Sequence, residues 1–117
     1  MSYIDGFVAA VPTKSKETYT EYAKGMAEVF KDNGALKVVD TWGDDVPEGD
    51  ITSFPMAVQK KDDETVAFSW IVWPSKETRE AGWQTAMEDP RMNAETNPMP
   101  FDGKRIIFGG FNVISDL

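Results

Sequence analysis

The sequence contains neither cysteine nor histidine. Without cysteine the chain forms no disulfide, has no thiol nucleophile and offers no thiolate ligand to a metal ion. Without histidine it lacks the commonest general base near neutral pH, the usual haem ligand and the usual zinc ligand. A Ser-His-Asp triad is therefore excluded. Any enzymatic reaction would depend on Asp, Glu, Lys, Tyr or Arg, or on a cofactor or substrate, and we predict no particular cofactor and no metal site.

Positive charge is also scarce, because the chain has 12 basic and 20 acidic residues and therefore a net charge of −8. A nucleic-acid-binding protein needs a dense basic surface, and an anionic membrane attracts one, so we predict neither partner. The sequence has no apolar run of about 18 residues that would span a bilayer. Its first residues, MSYIDGFVAAVP, carry an acid and no basic residue, which is unlike a signal peptide. We therefore expect a cytoplasmic protein.

The clearest structural pattern lies in residues 65–92. Residues 65–73 are β-branched, aromatic or small, which predicts a strand. Pro74 ends this strand, and Ser75 is placed to cap the first turn of a helix. Pro90 closes the helix because proline lacks the N–H that an interior position donates. This stretch therefore predicts a strand followed directly by a capped helix.

The remaining elements follow from the same signals. The sequence predicts strands at residues 3–11, 35–42 and 104–114, a helix from Ser15 to Asn33, and connections at 43–64 and 92–103. The tetrapeptide SKET stands at the start of both helices, each time after a strand and a proline. Residues 53–59 suit either a short helix, with Ser53 as its cap and Pro55 in its first turn, or a strand. The Gly109-Gly110 pair indicates a bulge or a close backbone approach.

This order of elements, β-α-β followed by β-α-β, predicts an α+β fold of the ferredoxin-like type in a single domain, residues 1–117. Such a domain has a four-stranded antiparallel sheet with two helices on one face. The first, third and fourth strands are apolar on both faces, and two helices cover only one of them. A second copy of the chain would cover the other face, so we predict a homodimer.

Several segments together resemble a known family. They are YIDGFV at residues 3–8, DVP at 45–47, FSWI at 68–71, PSKE at 74–77, DPRM at 89–92, MPFDGKR at 99–105 and GGF at 109–111. They resemble the domain-of-unknown-function 1428 family, the YbaA-like proteins, over essentially the whole chain. The resemblance implies the dimeric α/β-barrel superfamily and implies no catalytic residue. That superfamily includes cofactor-independent monooxygenases, isomerases and haem-degrading enzymes, and the last depend on a histidine that this chain lacks.

Asp40 is the candidate catalytic residue. It lies inside the second predicted strand, on the same face as Trp42. A carboxylate in an apolar cleft has a raised pKa and can act as a general base. A strand aspartate paired with Lys or Arg has only a structural role, and this is the commoner case.

Two further groups are candidate ligand-binding residues. The aromatic group, which would line a flat pocket, comprises Trp42, Phe68, Trp70, Trp73 and Phe101. Aromatic residues also form ordinary cores and dimer interfaces, which is the more frequent role. The cationic group comprises Arg91, Lys104 and Arg105, which flank the Asp102-Gly103 turn. It would clamp a ligand carboxylate or simply balance surface acids, and the sequence favours neither.

Three functions are consistent with these features. The first is a homodimer that binds an apolar or aromatic molecule, with an anion as one option, in a cleft between sheet and helices. The second is a cofactor-independent monooxygenase or isomerase with Asp40 as base and Arg105 as anion clamp. The third is a structural or interaction domain without a ligand.

Overall fold

The computed structural model describes residues 2–117. Its elements are β1 (Tyr3–Pro12), a 3-10 turn (Thr13–Ser15), α1 (Lys16–Asp32), β2 (Lys37–Asp40), α2 (Phe54–Ala57), β3 (Glu64–Trp73), α3 (Lys76–Met87), a second 3-10 turn (Pro90–Met92) and β4 (Ile107–Asn112). The strands form one antiparallel sheet in the order β2-β3-β1-β4. The predicted α+β, four-stranded architecture is therefore confirmed. None of the helices within residues 2–117 combines the length and apolar character needed to span a bilayer.

The two SKET tetrapeptides begin their helices in different ways. Before α3, the Thr78 backbone N–H donates to Ser75 Oγ over 3.1 Å, which is the predicted side-chain cap. Before α1, the Ser15 side chain makes no capping hydrogen bond, because the chain enters this helix through a 3-10 turn. At the other end, α1 leaves through Gly34 at φ +106°, a conformation that favours glycine.

Residues 53–59, for which the sequence left helix and strand open, contain the short helix α2 (Phe54–Ala57). The Met56 backbone N–H donates to Ser53 Oγ over 3.1 Å, and Pro55 lies in the first turn. The Gly109-Gly110 pair makes a close approach without a bulge. The register of β1 against β4 is unbroken there, and a Cβ atom on Gly110 would clash with the Tyr3 hydroxyl.

Two predicted strands were too long. β2 covers only Lys37–Asp40, although the backbone N–H groups of Leu36 and Thr41 still donate to β3 carbonyls over 2.7 and 3.0 Å. β4 begins at Ile107 because the preceding residues form turns. The apolar pattern continues beyond the end of each ladder, so the strand pattern alone does not show where regular pairing stops.

The helix-facing side of the sheet carries the main core. One cluster contains Tyr3, Val29, Phe30, Ala35, Ile71, Trp73 and Ala86, and a second contains Ala9, Val11, Tyr19, Ala23 and Ala67. Trp73 is fully buried, and α3 passes directly over its ring. A Cβ atom at Gly82 would lie 2.6 Å from Trp73 Cζ3, so only glycine lets the helix approach this closely. Burial of a side chain this large stabilises the fold by about 3 kcal/mol.

The other side of the sheet is partly covered by the chain itself, which the sequence did not predict. Val58, which follows α2, is fully buried against Val8, Ala10 and Val66. Apart from Lys37 at the β2 edge, most of the rest of this side is apolar and is not covered by α2. We call it the open face, and it consists of Ile4, Val39, Phe68, Trp70, Ile107 and Phe111. Phe111 retains 60% of its surface exposed, so the open face is a genuine apolar patch.

Candidate functional site

A cavity of about 170 Å³ lies between α1 and the helix-facing side of the sheet. It exists because several positions around it are alanine, so the helix and the sheet do not fill the space between them. Its floor is Phe7, Ala9, Val38, Asp40, Ala67, Ser69 and Ile71, and its α1 wall is Tyr19, Tyr22, Ala23, Met26, Ala27 and Phe30. Trp83 of α3 and the later residues Met92, Met99, Phe101 and Ile106 complete it.

The cavity has one polar corner, formed by Asp40, Ser69, Tyr19 and Tyr22. Asp40 and Ser69 are direct partners in the β2–β3 register, which places their side chains on the same face. Ser69 and Tyr19 are buried, whereas Asp40 is exposed at the mouth of the cavity because β2 is an edge strand. Among residues 2–117, Asp40 is the only charged side chain that lines the cavity.

The apolar surroundings change the acidity of this corner. Desolvation raises the pKa of Asp40, and the neighbouring Ser69 hydroxyl opposes the shift. Burial likewise raises the pKa of Tyr19 and of Tyr22, so both phenols remain protonated at neutral pH. The corner therefore combines a carboxylate with three hydroxyl groups, each of which can donate or accept a hydrogen bond. Acidic side chains in residues 2–117 do not gather in any group of three that would hold a metal ion.

Beside the polar corner, the cavity has an aromatic wall. The ring of Trp83 lies 4.7 Å from that of Phe30 and 6.3 Å from that of Phe7, measured between centroids. Phe101 packs edge-on against Tyr19, with centroids 5.8 Å apart. These distances are typical of favourable aromatic pairs, so the wall is preorganised around the space that a flat ligand would occupy.

Trp83 is held in place by a buried acid, Asp5. The Asp5 side chain is 2% exposed, and it accepts hydrogen bonds from Trp83 Nε1 over 2.8 Å and from Trp73 Nε1 over 2.9 Å. Arg79 Nη2 donates to its other oxygen over 2.7 Å. A buried carboxylate is tolerated only when it is paired in this way, so Asp5 ties α3 and both indoles to β1.

The three cations predicted to bind a ligand lie outside the cavity lining. Arg105 makes a bidentate pair with Glu64, over 2.7 and 2.6 Å, and also contacts Asp102 over 3.0 Å. Its guanidinium lowers the pKa of Glu64 to about 2. Arg91 donates to Asp89 over 2.8 Å and to Asp32 over 3.1 Å.

These arginines instead anchor a segment of the chain. Residues 90–106, which we call the cover segment, pass over one side of the cavity and contribute Met92, Met99, Phe101 and Ile106 to it. Arg91 fixes one end of the cover segment to α1, and Arg105 fixes the other end to Glu64 at the start of β3. The exposed Lys104 side chain lies on the same segment, and its backbone N–H donates to Asp102 over 3.0 Å.

The structure separates the predicted aromatic residues into three places. Phe101 lines the cavity. Trp42 lies outside the lining and packs against the cavity residue Tyr19, with ring centroids 5.9 Å apart. Phe68 and Trp70 lie on the open face, on the opposite side of the sheet, because alternate residues of a strand point in opposite directions. Trp73 belongs to the core. Ser69 and Tyr19 were not among the predicted site residues, although Ser69 shares the strand face of Ala67 and Ile71.

A smaller set of residues forms a second groove of about 240 Å³ beside α2. Trp42 and Phe68 line it together with Val46, Phe54 and Val66. Asp44 and Asp45 lie at the same groove, and both are exposed. Because both carboxylates are in contact with solvent, their presence at the groove does not indicate a binding site.

Solved structures with a similar fold include three proteins of low sequence identity. SnoaB, a cofactor-independent oxygenase from Streptomyces nogalater, aligns with a TM-score of 0.60 at 14% identity, covering 99% of this chain and 96% of that one. A dimeric ferredoxin-like protein from an uncultured marine organism aligns with a TM-score of 0.63 at 11% identity, covering 99% and 98%. Rv0793 from Mycobacterium tuberculosis aligns with a TM-score of 0.58 at 7% identity, with the same coverage. At these identities the similarity shows the fold alone.

Sequence relatives are much closer. The chain is 53% identical to the uncharacterized protein YbaA of Escherichia coli K12 over 116 residues, which is 99% of each chain. The same identity and coverage hold for YbaA of Shigella flexneri. The family described as protein of unknown function DUF1428 matches residues 2–103, a range that includes the cavity floor and the acids that pair with Arg91 and Arg105. The chain therefore belongs to the DUF1428 family.

Proposed function

We propose that this protein is a homodimer that binds a small aromatic or apolar molecule in the cavity between its sheet and α1. The observation that carries this proposal is the cavity itself, with its aromatic wall and single polar corner. An apolar cavity of about 150 Å³ is large enough to hold a benzene molecule. The cavity of about 170 Å³ therefore has room for one aromatic ring.

Binding is tested by filling the cavity. Ala27 lies on its α1 wall, so Ala27→Phe should occupy the space that a ligand needs. The matched control is Ala81→Phe, because Ala81 is exposed on α3 and lines no part of the cavity. A ligand at about a hundred times its Kd stabilises the native state by about 2.7 kcal/mol, which a thermal shift detects. We expect ring compounds to raise the Tm of the wild type and of the control only. Equal shifts in Ala27→Phe would place binding elsewhere.

The open face supports the homodimer. On it, Phe68 and Trp70 of β3 form an aromatic row that Phe54 of α2 extends, with successive ring centroids 5.8 and 5.5 Å apart. An apolar surface of this kind on a soluble protein commonly marks an interface. The similarity to a dimeric ferredoxin-like protein points the same way. The area available is the open face of one sheet, and a second copy would bring an identical apolar surface against it.

The dimer is tested by placing a charge on the open face. Phe68→Glu should give a monomer, because a buried unpaired carboxylate at the interface is strongly unfavourable. The control is Met87→Glu, since Met87 is also an exposed apolar residue, 63% against 41% for Phe68, but lies on α3 in the helix layer. Light scattering after size exclusion gives the mass directly. A wild-type monomer, or a Phe68→Glu dimer, would contradict the interface.

A second candidate function is a cofactor-independent oxygenase with Asp40 as general base. The observation that favours it is the raised pKa of Asp40 at an apolar cavity, which suits proton abstraction from a bound ring hydroxyl. The similarity in fold to SnoaB agrees with it. Oxygen consumption by the wild type with a panel of hydroquinones tests it, and Asp40→Asn should abolish the consumption while leaving the fold intact. Full activity in Asp40→Asn would remove this role.

A further inference from the structure

The polar groups of the cavity also define the ligand that it would select. We infer that the cavity prefers a neutral single-ring compound that carries a hydrogen-bond donor, such as a phenol, over an aromatic carboxylate or a ring without a donor. This inference rests on the proposed function, since it concerns the ligand of the same cavity. The sequence alone left an anionic ligand as an option, and the inference disfavours that option.

The charge of the cavity lining disfavours an anionic ligand. The cations that would attract an anion are committed elsewhere, Arg105 to Glu64 and Arg91 to Asp89, and neither lines the cavity. Within residues 2–117, the sole charged group of the lining is the Asp40 carboxylate. A ligand carboxylate in the polar corner would lie close to a like charge and would be repelled by it.

The Asp40 carboxylate has hydrogen-bond capacity left for a ligand. An ionised carboxylate only accepts hydrogen bonds, and within residues 2–117 no Lys or Arg donates to Asp40, in contrast to Asp5. The three hydroxyls of the corner fill at most three of the roughly four lone-pair sites of the carboxylate, which leaves a site open to a ligand donor. A phenol O–H fills this vacancy, whereas a methyl ether brings only another acceptor. Charge-assisted hydrogen bonds are the stronger kind, so the donor matters to affinity.

The shape of the cavity places aromatic side chains beside its polar corner. The aromatic wall formed by Phe7, Phe30 and Trp83 adjoins that corner, because Phe7 is the direct register partner of Ser69. A ring that packs on this wall has one edge toward Asp40 and Ser69. A single polar substituent on that edge is sufficient, and the rest of the ligand remains apolar.

Four ring compounds of closely similar size separate these features: p-cresol as donor, anisole as acceptor only, p-xylene as neither, and benzoate as anion. Isothermal titration of the wild-type protein at neutral pH measures their affinities. A hydrogen bond to a charged group corresponds to about ten- to hundredfold in affinity. We therefore expect p-cresol to bind at least tenfold more tightly than anisole or p-xylene, and benzoate to bind most weakly.

Asp40→Asn tests the residue that makes the selection. The amide keeps the size of the side chain but brings a donor and removes the charge, so the preference for p-cresol over anisole should fall to severalfold and benzoate should gain affinity. Asp62→Asn is the control, because Asp62 is an exposed acid away from the cavity. It should leave all four affinities unchanged.

The outcomes distinguish the inference from the proposed function. Binding of p-xylene or anisole as tightly as p-cresol would overturn the donor preference while supporting a ring-binding cavity. Tightest binding of benzoate would overturn the argument from charge in the same way. Failure of all four compounds to bind, or equal binding in Ala27→Phe, would overturn the proposed function and the inference with it.

Discussion

Asp5 and Asp40 are both aspartates on the helix-facing side of the sheet, yet they differ in every property that bears on chemistry. Asp5 lies on the central strand β1, is almost fully buried and accepts hydrogen bonds from Arg79, Trp73 and Trp83. Asp40 lies on the edge strand β2, faces an open cavity and has a raised pKa. The two acids thus have the same residue type and lie on the same face of the sheet. They differ in the donors around them, because Asp5 is paired with an arginine and two indoles whereas Asp40 lines a cavity.

The largest effect is expected from removing the buried acid. Asp5→Ala leaves Arg79 without its partner and two indole N–H groups without an acceptor, so we expect the free energy of unfolding to fall by about 3–5 kcal/mol. Urea unfolding monitored by tryptophan fluorescence measures this loss. Asp62→Asn, at an exposed position, should stay within about 0.5 kcal/mol of the wild type. A comparably small effect in Asp5→Ala would mean that the Asp5 network does not hold α3 on the sheet.

A smaller loss is expected at the other paired acid. Arg105 lowers the pKa of Glu64 from 4.5 to about 2, so the ionised form is favoured in the folded state. This stabilisation is fully present above pH 4.5 and is lost as the pH falls toward 2. Glu64→Gln removes the charge but keeps a side-chain oxygen that can accept from Arg105, so it should cost roughly 1–2 kcal/mol at neutral pH. Urea unfolding at neutral pH and near pH 3 compares the two proteins, and a difference that does not shrink in acid would contradict the linkage.

Trp83 connects the two regions, since its indole N–H donates to Asp5 while its ring lines the cavity. Trp83→Phe removes the donor and keeps an aromatic ring, so we expect stability to fall by about 1–2 kcal/mol. Because the cavity wall remains aromatic, binding of p-cresol should weaken only severalfold. Unfolding and titration on the same preparation give both values. Complete loss of p-cresol binding without loss of stability would contradict this expectation. It would mean that binding needs the indole itself, while its hydrogen bond to Asp5 adds nothing to stability.

The smallest change in stability is expected at Asp40. Its pKa is raised in the folded state, so the ionised form is disfavoured there and the cost is present above the folded pKa and absent below the ordinary value of 3.8. Asp40→Asn removes this cost, so at neutral pH the variant should be as stable as the wild type or slightly more stable, within about 0.5 kcal/mol. Thermal unfolding at neutral pH measures the difference. A clear destabilisation would show that Asp40 makes a structural contact after all.

Much of the fold was predictable because its signals are local. The strand at 64–73, the capping Ser75 and the helix that follows depend on neighbouring residues and proline positions, and the structure places them within one or two residues. The short helix α2 was left open because its pattern is too short to show a period. Its partial cover of the second sheet face was not predictable, since it brings Val58 against residues distant in the chain.

The candidate site was predictable only in part. Asp40 and Phe101 line the cavity, whereas Phe68 and Trp70 lie on the open face and Arg91 and Arg105 pair with acids. Strand alternation separates Phe68 from Ser69, so this signal was present in the sequence. The partners of the arginines were not, because Glu64 lies 41 positions away from Arg105 in the chain.

By itself, the sequence determined the order of the elements, the antiparallel α+β architecture, the family and the absence of thiol and imidazole chemistry, because these follow from residue types and short-range patterns. Only the tertiary structure decided which acid is saturated with hydrogen bonds and which faces a cavity. The physical reason is that burial, pairing and pKa depend on residues brought together across the sheet, and their distances arise only when the chain has folded.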